Sequence, residues 1–136
     1  MIIPALLTTS ERVAQERLTL AQHMSGRLHV DILDGSLYKF ESLPLEKLKP
    51  LDFGSLSLEF HCMTDDPLAI VDSGLPFDRI IIHLELPNWQ DYYEPLVEDG
   101  HNVWLAITPE TKLNTLVLPE DLGGVMLMGI TPGRSG

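Results

Sequence analysis

The sequence has little cysteine, little positive charge and no long apolar run. Its 136 residues include one cysteine, Cys62, which excludes an internal disulfide and a cysteine-rich zinc site. Nine basic residues against twenty acidic ones give a formal net charge of −11. A chain this acidic, with no basic cluster, is a poor partner for nucleic acid and for anionic membrane surfaces. We therefore expect neither nucleic acid nor a membrane among its partners.

No segment of the sequence is typical of membrane insertion or secretion. The apolar run Ile80-Ile81-Ile82 is too short to span a bilayer, and the first residues lack a basic segment followed by a long apolar one. The sequence therefore predicts a cytoplasmic protein. Its composition, with 44% hydrophobic and 21% charged residues, is that of a folded globular chain and excludes a disordered one.

Short apolar runs recur along the chain at intervals of roughly 20–30 residues, which is the spacing of one strand plus one helix. They lack a regular alternation of polar and apolar residues, as is typical of parallel strands covered by helices. No G-x-G-x-x-G motif follows the first run, which disfavours a dinucleotide site. We predict six strands, at Ile2–Leu6, Leu28–Ile32, Ser57–Met63, Arg79–Leu84, Val103–Ile107 and Val125–Ile130.

The segments between these strands carry helix start and stop signals, such as Ser10 as an amino-terminal cap and Gly26 beyond a carboxyl end. Strands that alternate with helices predict a right-handed α/β fold, either an open doubly wound sheet or a barrel. We predict helices after Ser10, from Asp66-Pro67 with the proline in first position, after an Asn88 cap, from Thr108-Pro109 through Leu116, and for one turn at Leu45–Leu48 within the long loop Ser36–Gly54.

Acidic and histidine side chains recur near the carboxyl ends of the predicted strands, where α/β folds bind their ligands. Residues two apart on a strand share a face, so His29 and Asp31 point the same way, as do Glu59, His61 and Met63. Two imidazoles and a carboxylate are a common ligand set for a divalent metal. A polar cluster with a purely structural role is the alternative.

Six short motifs follow one another along nearly the whole chain. The most specific are His29-x-Asp31-x-x-Asp34-Gly35 and, after it, His61-x-Met63. In this order the motifs resemble those of the ribulose-phosphate 3-epimerase family, whose corresponding sequences include H-x-D-V-M-D-G and V-H-L-M-V. The remaining matches are I-P-A-L-L at 3–7, I-H-L-E at 82–85, L-A-I-T-P-E-T at 105–111 and V-M-L-M-G-I-T-P-G at 125–133.

The resemblance implies a (β/α)8 TIM barrel of the ribulose-phosphate-binding type. It implies an isomerase of pentose phosphate metabolism that interconverts D-ribulose 5-phosphate and D-xylulose 5-phosphate through an enediolate, by metal-assisted proton transfer at C3. His29, Asp31 and His61 would hold the divalent metal (Zn, Fe, Mn or Co), and Asp31 would also be one of two acid/base carboxylates. Substrate-binding residues would be Met63, Met128, Gly133, Arg134, Ser135 and Gly136, the last four at the phosphate.

The chain departs from the family in its number of strands. About six are predicted against the eight of the barrel, so residues 1–136 are expected to form a single incomplete (β/α) barrel domain. No position corresponds to the family's second catalytic aspartate, which lies on strand seven. The chain is expected to be a fragment of a longer gene or a short form that completes itself as a homo-oligomer.

Two other functional hypotheses stay open. The chain could bind a sugar phosphate, or assemble with itself, without turnover. Another enzyme on the same barrel, such as a sugar-phosphate decarboxylase, is disfavoured by the motif at 29–35.

Overall fold

The computed structural model describes residues 1–130 and residue 132. Strands and helices alternate along this part of the chain. In order they are β1 (Ala5–Leu6), α1 (Glu11–Met24), β2 (Arg27–Leu33), α2 (Leu45–Leu48), β3 (Ser57–Met63), α3 (Leu68–Asp72), β4 (Arg79–His83), α4 (Gln90–Glu98), β5 (Val103–Ile107), a 3-10 turn (Leu113–Thr115) and β6 (Gly124–Leu127).

The six strands form one sheet in the order β1-β2-β3-β4-β5-β6, and every neighbouring pair is parallel. Each connection therefore runs back along the sheet and places the next strand beside its predecessor, always in the same direction around the sheet. Successive units of a β/α barrel are arranged in this way. The predicted α/β fold, a partial TIM barrel of six parallel strands, is confirmed.

The strand predictions hold best in the middle of the sheet. β3 and β5 have the predicted limits, and β2 extends one residue beyond them at each end. β1 begins at Ala5 and not at Ile2, because Pro4 has no backbone N–H to donate to a ladder and contributes its carbonyl to His29 N instead. β6 covers Gly124–Leu127, which is earlier and shorter than the predicted range.

Two helices agree with their predicted signals. Ser10 Oγ accepts a hydrogen bond from Val13 N at 3.4 Å, and α1 runs from the next residue to Met24. The single turn predicted at Leu45–Leu48 is α2.

The other helix predictions need correction. Pro67 is the cap of α3 and not its first residue, while Asp66 Oδ1 accepts from Leu68 N at 3.2 Å. Asn88 adopts a left-handed backbone with φ 54°, so α4 begins only at Gln90. The segment predicted as a helix from Thr108 is a turn followed by the 3-10 turn Leu113–Thr115, because the hydroxyls of Thr108 and Thr111 both donate to Glu85 and tie this segment to the loop after β4.

The core lies between the sheet and the helices. Alternate strand residues face it, including Val30, Phe60, Ile80 and Leu105, each at most 1% exposed. Cys62 is part of the same core, and burial raises the pKa of its thiol far above the usual range. The inner face of the sheet is thereby left to the opposite set of strand residues.

Within the described residues, no helix combines the length and hydropathy that a membrane crossing needs.

Helix α1 allows a direct test of this layering, because it carries one buried and one exposed leucine. Leu18 is fully buried and Leu20 is 59% exposed. We expect Leu18→Ala to lower the free energy of unfolding by about 3 kcal/mol, since it leaves a cavity, and Leu20→Ala by less than about 0.5 kcal/mol. Urea denaturation measures both. Equal losses would contradict the assignment of the buried face.

Candidate metal centre

Strand register brings the polar residues of the inner face together. In the β2–β3 pair, His29 lies opposite Glu59, and Asp31 lies opposite His61. Since residues opposite each other and two apart share one face, these four side chains project to the same side of the sheet. This is the side away from the apolar core, as the alternation of the sequence predicts.

His29, Asp31 and His61 form a cluster that fits a divalent metal. Asp31 Oδ1 lies 3.2 Å from His29 Nε2 and 2.8 Å from His61 Nδ1. One ligand atom from each residue lies within 4.8 Å of the other two, so a single ion can be reached by all three. Imidazole nitrogen and carboxylate oxygen are the donors that zinc and the neighbouring transition metals prefer. The residues present therefore suit such an ion.

An ionic network beneath the cluster orients His29. Its Nδ1 donates to Glu59 Oε1 at 2.7 Å, and Glu59 Oε2 accepts from Arg79 at 2.7 Å. The Arg79 guanidinium in turn lies 3.9 Å above the ring of Trp104. Because Glu59 holds Nδ1, the Nε2 atom of His29 is the one directed at Asp31.

The charge state of His29 follows from these partners. Burial lowers its pKa, but hydrogen bonds to Asp31 and Glu59 and their negative charges outweigh burial and raise it to about 9. The same contacts act in the opposite direction on Asp31. Burial raises its pKa, and hydrogen bonds from His29 and His61 outweigh this and hold it well below the usual range. Asp31 is therefore ionised at neutral pH.

A second set of hydrogen bonds reaches His61 from β4. His61 Nε2 lies 2.7 Å from His83 Nε2, and the two ring planes differ by 15°. Ring atoms in a face-to-face stack cannot come this close, so the contact is an N–H···N hydrogen bond in the plane of both rings. Burial is the main cause that lowers the pKa of His61, to about 4, and His61 is neutral at pH 7.

His83, the last residue of β4, is fully buried and has hydrogen-bond partners on its other ring nitrogen as well. Its Nδ1 lies 3.0 Å from the Tyr38 hydroxyl and 3.1 Å from Glu85 Oε2. The other oxygen of Glu85 accepts from the hydroxyls of Thr108 and Thr111. Burial raises the pKa of Glu85, but these hydrogen bonds outweigh it and lower the pKa to about 2.

A cavity of about 250 Å³ opens onto the three clustered residues. Its other walls are largely apolar and come from β1, β3 and β6. They are formed by Ala5, Leu7, Met63, Met126, Met128 and Ile130, together with their neighbours Leu127 and Gly129.

A larger cavity of about 390 Å³ lies elsewhere, between the β2–α2 and β3–α3 segments. Four carboxylic acids line it, Asp34, Glu41, Glu46 and Asp66. This lining repels an anionic ligand, so the smaller cavity at the histidines is the better candidate for a phosphorylated substrate.

The structure brings together most of the residues that the sequence indicated. Met63 and Met128 line the cavity beside the clustered ligands. Gly133, Arg134, Ser135 and Gly136 lie outside the described residues. Asp34, the second carboxylate of the motif at 29–35, instead accepts from Ser36 N at 3.0 Å and shapes the turn after β2.

Sequence reasoning missed the contacts of Tyr38, Thr108 and Thr111. Tyr38 lies in a long loop without periodicity, so no pattern connects it to β4. The two threonines had a signal in their position directly after β5, beside the carboxyl end of a parallel strand. The Thr108-Pro109 pair predicts the start of a helix instead.

The depressed pKa of Glu85 predicts a specific dependence of stability on pH. Since its pKa is about 2 in the folded state and about 4.5 unfolded, its ionised form stabilises the fold above pH 4.5, and this contribution is lost as pH falls through 2. Solvent screening reduces it to about 1–2 kcal/mol, because the side chain is partly exposed.

Between pH 5 and pH 2 we expect the free energy of unfolding of wild type to fall by about 1–2 kcal/mol more than that of Glu85→Gln. Urea unfolding across that range measures the difference. Parallel curves for the two proteins would contradict the hydrogen-bonded carboxylate.

Comparison with known proteins places this arrangement in a family. No curated protein matches the chain. The model of the ribulose-phosphate 3-epimerase family matches residues 1–136, which include all six strands and the histidine–aspartate cluster. The chain therefore belongs to the ribulose-phosphate 3-epimerase family.

Proposed function

We propose that this chain binds a divalent metal through His29, Asp31 and His61 and exchanges the C3 proton of D-ribulose 5-phosphate, the step that leads to D-xylulose 5-phosphate. The observation that carries the proposal is the convergence of these three side chains beneath a cavity at the carboxyl ends of parallel strands. A divalent cation bound there would act as a Lewis acid for the negative charge that develops on the substrate oxygens.

Asp31 is suited to take the proton. A hydrogen next to a ketone is weakly acidic, so its acceptor must be ionised and within hydrogen-bond reach. The carboxylate of Asp31 is held ionised by the two histidines, and both contacts use Oδ1. Its other oxygen, Oδ2, has no hydrogen bond to a side chain that the structure describes, and it is the proposed acceptor.

The walls of the cavity favour such a transfer. Met63 is buried, and with Met126 and Met128 it presents apolar surface next to Asp31. Apolar walls exclude water and so strengthen the interactions of charged groups in the cavity. For the phosphate we propose the glycine-rich segment 133–136, in which Arg134 supplies a positive charge and the backbone supplies N–H groups.

Full epimerisation requires a proton donor on the opposite face of the substrate. Within residues 1–136 no carboxylate corresponds to the family's strand-seven aspartate. The second acid would therefore be a different carboxylate, and we propose that a second copy of the chain supplies it in a homo-oligomer. β1 and β6 each have one strand neighbour in the described sheet, and such edges can pair with another chain.

The same edges favour a second candidate function. A chain that binds a pentulose 5-phosphate or assembles with itself, without turnover, requires the cavity and the edges but not the second acid. Both functions are consistent with the cytoplasmic location that the sequence predicts.

Solvent exchange tests the proposed chemistry. We expect the protein loaded with Zn²⁺, Mn²⁺, Fe²⁺ or Co²⁺ to incorporate deuterium at C3 of D-ribulose 5-phosphate in D₂O, because one base suffices for exchange. Asp31→Asn should slow incorporation by at least about 100-fold. Mass spectrometry of the recovered sugar measures both. If none of the four metals supports incorporation, the proposed chemistry is wrong.

The appearance of D-xylulose 5-phosphate in the same experiment separates the two candidates. Exchange with product indicates a complete epimerase, and exchange without product indicates a base on one face. Saturable binding of the sugar phosphate without exchange supports the binding function.

Metal affinity gives an independent test of the ligand set. We expect Asp31→Asn to weaken Zn²⁺ binding by more than about 100-fold, since loss of a direct ligand costs more than the 10–100-fold typical of its supporting partners. Asp34→Asn is the matched control, because Asp34 bonds to Ser36 and lies outside the cluster. Competition with a chromophoric chelator measures both constants. Equal weakening by the two variants would contradict the proposed ligands.

A further inference from the structure

We propose that Glu85, acting through His83, stabilises the tautomer of His61 that can bind a metal, so that Glu85 and His83 are positioning residues of the site. The inference rests on the proposed function for the presence of the metal. Neither Glu85 nor His83 lines the cavity, and neither contacts the atoms of His29, Asp31 and His61 that would face the metal.

The argument begins with the number of protons between the two rings. Two imidazole nitrogens 2.7 Å apart share one proton, so one Nε2 donates and the other accepts. A neutral imidazole carries a single N–H. If His61 donates from Nε2, its Nδ1 has a free lone pair and His83 carries its proton on Nδ1. If His83 donates from Nε2, the positions are reversed in both rings.

Only the first arrangement leaves His61 able to act as a ligand. His61 Nδ1 is the atom that lies beside Asp31 Oδ1, at 2.8 Å. A nitrogen that carries a proton cannot coordinate a metal. Binding at Nδ1 therefore requires the His61 proton on Nε2 and, in consequence, the His83 proton on Nδ1.

Glu85 matches this requirement at the far side of His83. An ionised carboxylate can only accept, and Glu85 Oε2 lies 3.1 Å from His83 Nδ1. A proton on Nδ1 gives this pair a hydrogen bond, whereas the reversed tautomer sets a nitrogen lone pair against a negative oxygen. Without an ion, Asp31 Oδ1 accepts from His61 Nδ1 and favours the reversed tautomer. A metal bound at Nδ1 would take the place of that proton, and Glu85 stabilises the tautomer that such a metal needs.

Thr108 and Thr111 fix the orientation of Glu85. Both hydroxyls donate to Oε1, which leaves Oε2 for His83. Tyr38 does not discriminate between the tautomers, because its hydroxyl, 3.0 Å from His83 Nδ1, can accept or donate.

The replacement Glu85→Gln inverts one hydrogen bond and keeps the shape of the side chain. Its amide oxygen takes the place of Oε1 and accepts from both threonines, so the amide NH₂ faces His83 Nδ1 and donates to it. This stabilises the tautomer in which His61 is protonated on Nδ1. A residue that merely filled space at position 85 would give no such effect.

We expect Glu85→Gln to weaken Zn²⁺ binding by about 10–100-fold, the range typical of partners that orient metal ligands. Glu110→Gln is the matched control, since it removes the same charge from an exposed side chain in the neighbouring turn. It should change affinity by less than about threefold, as should Tyr38→Phe. Chelator competition gives the constants, and urea unfolding of the metal-free proteins establishes that each variant is folded.

Nuclear magnetic resonance reads the tautomers directly. Long-range ¹H–¹⁵N correlations should show His83 protonated on Nδ1 in the zinc-loaded wild type and on Nε2 in metal-free Glu85→Gln. Zinc affinity of Glu85→Gln equal to that of wild type, or His83 protonated on Nε2 in the loaded wild type, would overturn the inference alone. Wild-type protein that binds no zinc would overturn the proposed metal site as well.

Discussion

The parallel register between β2 and β3 is the constraint on which the candidate site depends. It sets Asp31 opposite His61 and His29 opposite Glu59, and the alternation of the strands turns all four away from the helices. A slip of one residue would move these polar groups into the apolar layer and Phe60 into the cavity. The helix-facing residues therefore hold the site in place, because their burial allows one register only.

Buried polar groups cost free energy unless they are paired, and the inner face meets this condition by linking them. Both nitrogens of His29 and both nitrogens of His61 have partners at hydrogen-bond distance. The two histidines are supported differently, however. His29 donates to Glu59, which is paired with Arg79, whereas His61 shares a hydrogen bond with the imidazole of His83. His29 is thus held by charged partners, and His61 by a hydrogen bond to another imidazole.

The sequence was sufficient to predict the sheet and the grouping of three polar side chains on its inner face, because both follow from periodicity. Residues two apart share a face, so the sequence predicts that His29 and Asp31 point the same way and that His61, on the next strand, can lie beside them. Loop contacts have no such period. The approach of Tyr38 to His83 depends on the path of a long loop, and the turn at Thr108 depends on hydroxyl hydrogen bonds to Glu85, which is distant in the sequence.

The buried thiol of Cys62 can report how often β3 separates from the helices that cover it. The thiol lies on the helix side of β3, directly after His61, and is 1% exposed. A thiol reagent can reach it only when the strand separates from the helices, and it is the one cysteine of the sequence. The rate of labelling therefore measures how often this strand opens. An ion bound at His61 would lower that rate, and the measurement needs no engineered cysteine.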